Sequence, residues 1–149
     1  MLNFDAHQAQ LLRLLSEFFG DTNVIPQMSL AAVFADCNEA AQEKLAAIAL
    51  ARTPDWSRTE KCLFTIVDTD GTPKLIVELF ADDGNTVDLL LLDKQEQLEV
   101  LCREAQIHLA IFGYHELAQI LDPSSGMSLL SCLSGKVLPR TTIPAGFGS

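Results

Sequence analysis

Lys61-Cys62-Leu63-Phe64-Thr65-Ile66-Val67-Asp68-Thr69-Asp70-Gly71-Thr72-Pro73-Lys74-Leu75-Ile76-Val77-Glu78-Leu79-Phe80 is the stretch that sets the fold. Lys61 to Val67 and Lys74 to Phe80 are rich in β-branched and aromatic residues, and the segment between them is turn chemistry built on an Asp-Gly pair. Two such runs about such a turn predict a β-hairpin. Downstream, Ala81 to Thr86 reads as a polar loop and Val87 to Glu104 as a long helix with leucines on one face and Asp93, Lys94, Glu96 and Glu99 on the other. Ile107 to Phe112 is apolar enough for a buried strand, Gly113 turns the chain, Tyr114 to Leu121 reads as a helix and Pro123 to Gly126 as a loop. Upstream, residues 38 to 51 are rich in good helix formers, and Thr53, Pro54, Asp55 and Ser57 end them. Residues 30 to 35 are a brief apolar piece. Residues 23 to 30 contain Pro26, which suits an extended segment at a sheet edge. Residues 4 to 19 carry Leu11, Leu15 and Phe18 near helical spacing and stop at Gly20.

A hairpin followed by a helix and a strand is the core order of a mixed sheet with helices packed against it, the helix returning the chain so that the last strand lies parallel to a hairpin strand. The expected fold is therefore α/β, a small mixed β-sheet flanked by helices. The 149 residues suffice for one domain, expected to span residues 1–121, with 122–149 as a C-terminal extension whose Pro139, Pro144, Gly146 and Gly148 favour fraying at its end.

Apolar residues make up 48% of the chain and mean hydropathy is +0.21, which argues against disorder over the whole length. The longest aliphatic run, Leu89 to Leu92, is far shorter than the ~20 residues of a membrane span, and no basic segment leads into an apolar one at the N-terminus. Cys37, Cys62, Cys102 and Cys132 are scattered, with neither the paired spacing of a zinc site nor a nearby pair of histidines; they read as small buried hydrophobes in a reducing compartment. A cytoplasmic location is the expectation. The net charge of −10 repels a phosphate backbone and argues against a general nucleic-acid binder. It suits solubility, or a protein partner with a basic surface. The Leu89 to Leu92 run exceeds what one helix face buries, which makes a homodimer one option.

Chemistry-bearing residues are few. On a strand Ile76, Glu78 and Phe80 share a face. Glu78 is thus a carboxylate on an apolar face, expected either as a residual site with a raised pKa or as an ordinary carboxylate reaching solvent or paired with Lys61 or Lys74. Asp68, Asp70, Asp82 and Asp83 crowd the loops around the hairpin; turn capping accounts for Asp68 and Asp70, and a metal cluster is the alternative. His108 and His115 lack a partner nucleophile in the sequence pattern. Trp56, with Arg52, Arg58 and Lys61 around it, forms the one local basic and aromatic concentration, so Trp56 and Arg58 are candidate binding residues unless the Trp covers the end of the sheet.

Four segments taken together carry a resemblance: Val24-Ile25-Pro26-Gln27-Met28-Ser29-Leu30, Cys62-Leu63-Phe64-Thr65-Ile66-Val67-Asp68, Pro73-Lys74-Leu75-Ile76-Val77-Glu78-Leu79 and Ala105-Gln106-Ile107-His108-Leu109-Ala110-Ile111. Their order and spacing, over roughly residues 17 to 121, resemble a family of small bacterial domains of unknown function with the restriction-endonuclease-like, PD-(D/E)XK-type fold. The resemblance implies a restriction-endonuclease-like core and a Mg²⁺ site of clustered carboxylates that activates water. The motif is degenerate here. Leu63 stands where the family has its first acid, Glu78 keeps the second, and Phe80 replaces the following Asp. Gln106 and His108 replace a Gly and a Pro, and Ile111 an Arg. One carboxylate rarely holds Mg²⁺ alone. The expectation is a catalytically inactive nuclease-fold module that acts by binding a protein, as inhibitor, adaptor or regulator, with no metal or other cofactor and no enzymatic activity. The alternative is a divergent Mg²⁺-dependent nuclease using Glu78 with Asp68 or Asp70.

Overall fold

A computed structural model describes residues 4–52, 55–81 and 89–136, the side chains of 89–91 excepted. Helix α1, Ala6–Phe19, begins at Asp5, whose carboxylate accepts from the Gln8 N–H while the Gln8 side chain accepts from the Asp5 N–H. That capping box satisfies two of the donors a helix start leaves open. Leu11, Leu15 and Phe19 recur every four residues and are buried; Gly20, at φ +97°, ends the helix, and Asn23 donates to the Phe19 carbonyl.

Strand β1, Val24–Pro26, is short and lies at a sheet edge as its proline requires. Helix α2, Leu30–Val33, is capped by Ser29, and α3, Glu39–Leu50, by Asn38. A one-turn helix α4, Trp56–Thr59, follows where the sequence suggested only a break; Thr53 and Pro54 lie outside the described residues. The hairpin is present: β2, Phe64–Val67, pairs antiparallel with β3, Pro73–Phe80, from Phe64 opposite Val77 to Val67 opposite Pro73. Strand β2 starts later than the β-rich run because the β1–β2 ladder kinks at Gln27, φ +55°; residues 61–63 still bond across to 27–29, through Gln27 N–H to the Leu63 carbonyl and Cys62 N–H to the Met28 carbonyl.

Helix α5, Leu89–Ala105, returns the chain to β4, His108–Gly113, which pairs parallel with β3. Helix α6, Tyr114–Leu121, has the expected bounds. A 3₁₀ turn, Pro123–Ser125, leads to α7, Leu129–Lys136. The sheet is mixed, in the order β1-β2-β3-β4. The expectations for residues 82–88 and for the end of the chain from Val137 lie outside the described residues.

Strand alternation sends side chains into two cores. Phe64, Ile66, Leu75, Val77, Leu79, Ala110 and Phe112 face α1, α6 and α7. Ile76 and Cys62 face α2 and α5, through Leu30, Val33, Leu98, Leu101 and Cys102, with α3 and α4 packed partly behind. The result is a three-layer α/β/α sandwich. Leu129, Cys132 and Leu133 of α7 belong to the first core, so the packed unit reaches past residue 121 to at least Lys136. Cys62, Cys102 and Cys132 are buried, Cys37 is partly buried, and none forms a disulfide. No helix among the described residues is long and apolar enough to cross a membrane.

Candidate functional site

Among the described residues the buried polar side chains, Thr65 and Glu78, lie on the face of the sheet beneath α5. Strand β3 is a central strand, so Glu78 cannot reach solvent sideways, and it is only 2% exposed. Its two oxygens have separate partners: Oε2 accepts from the Leu63 N–H at 2.7 Å, and Oε1 pairs with Lys94 Nζ at 3.1 Å. Burial pushes the Glu78 carboxyl above its ordinary value; the Lys94 ammonium and the Leu63 N–H oppose the push, and Glu60 adds a small repulsion to it. The Cys62 and Cys102 thiols stand in the same core, and burial raises both, with the Glu78 charge adding to each. Raised thiols are poor nucleophiles.

Lys94 is the functional side chain that the sequence reading missed. The partner expected for Glu78 was Lys61 or Lys74; Lys61 is exposed, and Lys74 stands 3.7 Å from Asp68. The available signal was periodicity. Lys94, Leu98, Leu101 and Ala105 are spaced four, three and four, the spacing of one helix face, and that face packs on the sheet. A lysine on a buried stripe needs an anion. The Cα partner of Glu78 on β4 is Ile111, where the resemblance expects an arginine. The cation facing the acid comes from α5.

Asp68 and Asp70 are not part of this arrangement. Glu78 stands beyond the Phe64–Val77 end of the hairpin ladder and Asp68 beyond its Val67–Pro73 end. Five residues of strand separate the two places, roughly 17 Å. Asp68 accepts from the Asp70 and Thr72 N–H groups, and Asp70 from the Thr72 N–H and hydroxyl. These are turn bonds. A side-chain hydrogen bond shared with Asp68, and then the bonds from Thr72, lower the Asp70 carboxyl to about 2. Among the described residues no group of three or more His, Cys, Asp or Glu could hold a metal ion. Asp82 and Asp83 lie outside them.

Trp56 and Arg58 fall on α4 and diverge. Trp56 packs partly against the second core, and its ring lies under the Arg52 guanidinium, 5.5 Å from the centroid, while Arg58 is exposed. Arg52 also pairs with Asp93 at 3.0 Å, tying the end of α3 to α5. At the other end of that helix pair Asn38 donates to the Glu104 carbonyl, so α3 and α5 run antiparallel. His108 is partly buried, which lowers its pKa. An open groove of about 360 Å³ beside the start of β3 is lined by Met28, Val33, Cys37, Lys74 and Ile107, and Glu78, Asp68, Asp70, Trp56 and Arg58 are not among its lining.

The residues at Glu78 do not fit a Mg²⁺ site. Hard cations want several oxygens; among the described residues Glu78 is already held by a lysine and an N–H, Glu60 is near only as a small repulsion, and Leu63, 8% exposed, packs into the opposite core where the resemblance places the first acid. No protein-family model, curated protein or solved structure matches this chain.

Proposed function

We propose that this chain is a catalytically inactive binding module on a restriction-endonuclease-like core, acting on a protein partner as inhibitor, adaptor or regulator. The order of extended segment, hairpin, helix and final strand supports the core assignment, since the resemblance has these parts in the same sequence. The observation that carries the loss of activity is the state of Glu78, with each oxygen held by a protein group of its own. Each oxygen keeps a second acceptor site, but the Lys94 ammonium beside Oε1 already neutralises the charge and repels a divalent cation. The net charge of −10 suits a partner with a basic surface and opposes a nucleic-acid one.

The test is thermal unfolding with and without millimolar Mg²⁺ or Mn²⁺, for the wild type and Glu78→Gln, with a plasmid-nicking assay alongside. The reading expects no metal-dependent shift in either protein and no cleavage. A shift of several degrees in the wild type, lost in the variant, would establish a metal site at Glu78 and replace this reading with the divergent nuclease.

A further inference from the structure

A sheet edge exposes backbone donors and acceptors that will pair with any strand offered, and folded proteins usually blunt such edges with short strands, prolines, charges or kinks. The two edges of this sheet differ. Strand β1 is three residues long, ends in Pro26 and is followed by the left-handed Gln27. Strand β4 is blunted by neither shortness, proline nor charge within it, and its one kink, the left-handed Gln106, lies two residues ahead of its start. It runs six residues, His-Leu-Ala-Ile-Phe-Gly, with neither proline nor acid nor Lys or Arg, and among the described residues it pairs on one side alone, with β3. Its apolar character continues on both flanks: Leu109 and Ile111 are only partly buried, and Leu130, on the helix α7 that packs against β4, is 47% exposed.

Charge selects what can meet this edge. The chain carries −10, yet residues 107–136 contain only Glu116, Asp122 and Lys136 as charged residues, and Glu116 is paired with Lys136 at 2.8 Å. The β4 side is therefore close to neutral in a strongly acidic molecule. Residues 22–35 about the other edge are uncharged as well, so charge permits a second copy at either edge and the blunting of β1 leaves β4 as the one open to it.

We propose that β4 is a dimerisation edge at which two copies of this chain pair antiparallel about a two-fold axis, joining their sheets into one. Directly opposite residues of an antiparallel pair share a face. A register centred on Ala110 sets Leu109 against the second copy's Ile111, twice by symmetry, and closes the apolar flank. This proposal does not depend on the reading of Glu78, and a metal-dependent shift would leave it standing.

Sedimentation equilibrium of the full chain tests it, from micromolar to several hundred micromolar. The wild type should rise from 16.3 kDa toward twice that mass. Leu109→Lys, which puts a charge on the edge while its stem keeps covering the core, should stay at the single-chain mass with an unchanged circular dichroism spectrum. If that variant does not fold, hydrogen exchange on the wild type decides: alternate amides within 108–113 should gain protection with concentration, and those of 24–26 should not. A wild type that stays at 16.3 kDa throughout overturns the proposal and leaves the edge to a foreign strand or to residues 137–149. A dimer indifferent to Leu109→Lys, or protection gained elsewhere, overturns it equally.

Discussion

Removing Lys94 should hurt this protein more than removing the charge of Glu78. Lys94→Met keeps most of the aliphatic stem and deletes the ammonium, leaving a carboxylate with 2% of its surface exposed and one remaining partner, the Leu63 N–H. Breaking a buried pair from one side costs about 3–5 kcal/mol, because the other charge stays behind uncompensated. Lys94 retains a fifth of its side-chain exposure, so water reaches the site and the lower figure applies. About 3 kcal/mol corresponds to a fall of roughly 6–12 °C in Tm for a domain of this size, or a urea midpoint lower by about 1.5 M at a typical slope. Glu78→Gln leaves an acceptor for the Leu63 N–H and frees Lys94 to swing outward, so its cost should stay below about 1 kcal/mol, and Glu78→Gln with Lys94→Met should fall near the Glu78→Gln value. The lone Trp56 packs on this core and gives the fluorescence readout.

The pH dependence has a definite sign. Burial raises Glu78, so between its ordinary value of 4.5 and its raised one the folded protein holds a proton that the unfolded chain has released. Stability from this group is present below 4.5 and falls as pH rises through that window. The Lys94→Met deficit should therefore shrink on acidification toward pH 4.5, since a protonated Glu78 no longer needs the ammonium. A deficit under about 1 kcal/mol at pH 7, unchanged on acidification, would refute the account of Glu78 as a buried, lysine-dependent carboxylate.

Thr65 is fully buried with its hydroxyl unpartnered, so Thr65→Val should be neutral or stabilising by about 1 kcal/mol in urea unfolding; a loss of that size would reveal a partner for the hydroxyl. Asn38 both caps α3 and donates to the Glu104 carbonyl, so Asn38→Ala should cost about 1–2 kcal/mol and Asn38→Asp, which keeps the cap alone, less than that. An NMR titration should place the Asp70 midpoint near 2, and Thr72→Ala should move it up toward 3.8; a midpoint already at 3.8 in the wild type would contradict the turn bonding.

The layout was legible where one local rule was strong. The Asp-Gly turn between β-rich runs gave the hairpin, and Gly20 with the leucine spacing gave α1. Tyr114 to Leu121 was bounded by Gly113 at one end and by Asp122-Pro123 at the other. Helix α4 was not legible, because Trp56–Thr59 is a single turn held by its place against α2 and α3 and has no periodicity of its own. The start of β2 was misplaced because its first residues bond to the kinked 27–29 segment out of ladder register. At the site the sequence singled out Glu78 as a carboxylate on an apolar face, and missed its partner because Lys94 was assigned to the polar face of the long helix although it shares the spacing of Leu98 and Leu101. Of the basic residues the sequence set around Trp56, Arg52 lies over the ring and Arg58 is exposed.

On the proposed reading, the surroundings of Glu78 also explain how the hairpin can lack the other acids and keep this one. Phe64 is the last β2 residue in register with β3, opposite Val77. One residue further out the main-chain ladder has stopped, and the Leu63 N–H would be buried without a carbonyl opposite it. The Glu78 side chain supplies that acceptor, latching the incoming 60–63 segment to the centre of the sheet. An unpaired buried N–H costs about 1–3 kcal/mol, so the carboxylate has a structural task that owes nothing to a metal. Lys94 then makes the charge tolerable. On the proposed reading the first acid could be replaced by Leu63 and the third by Phe80, since those positions bear no such bond, whereas an apolar residue at 78 would orphan the Leu63 amide.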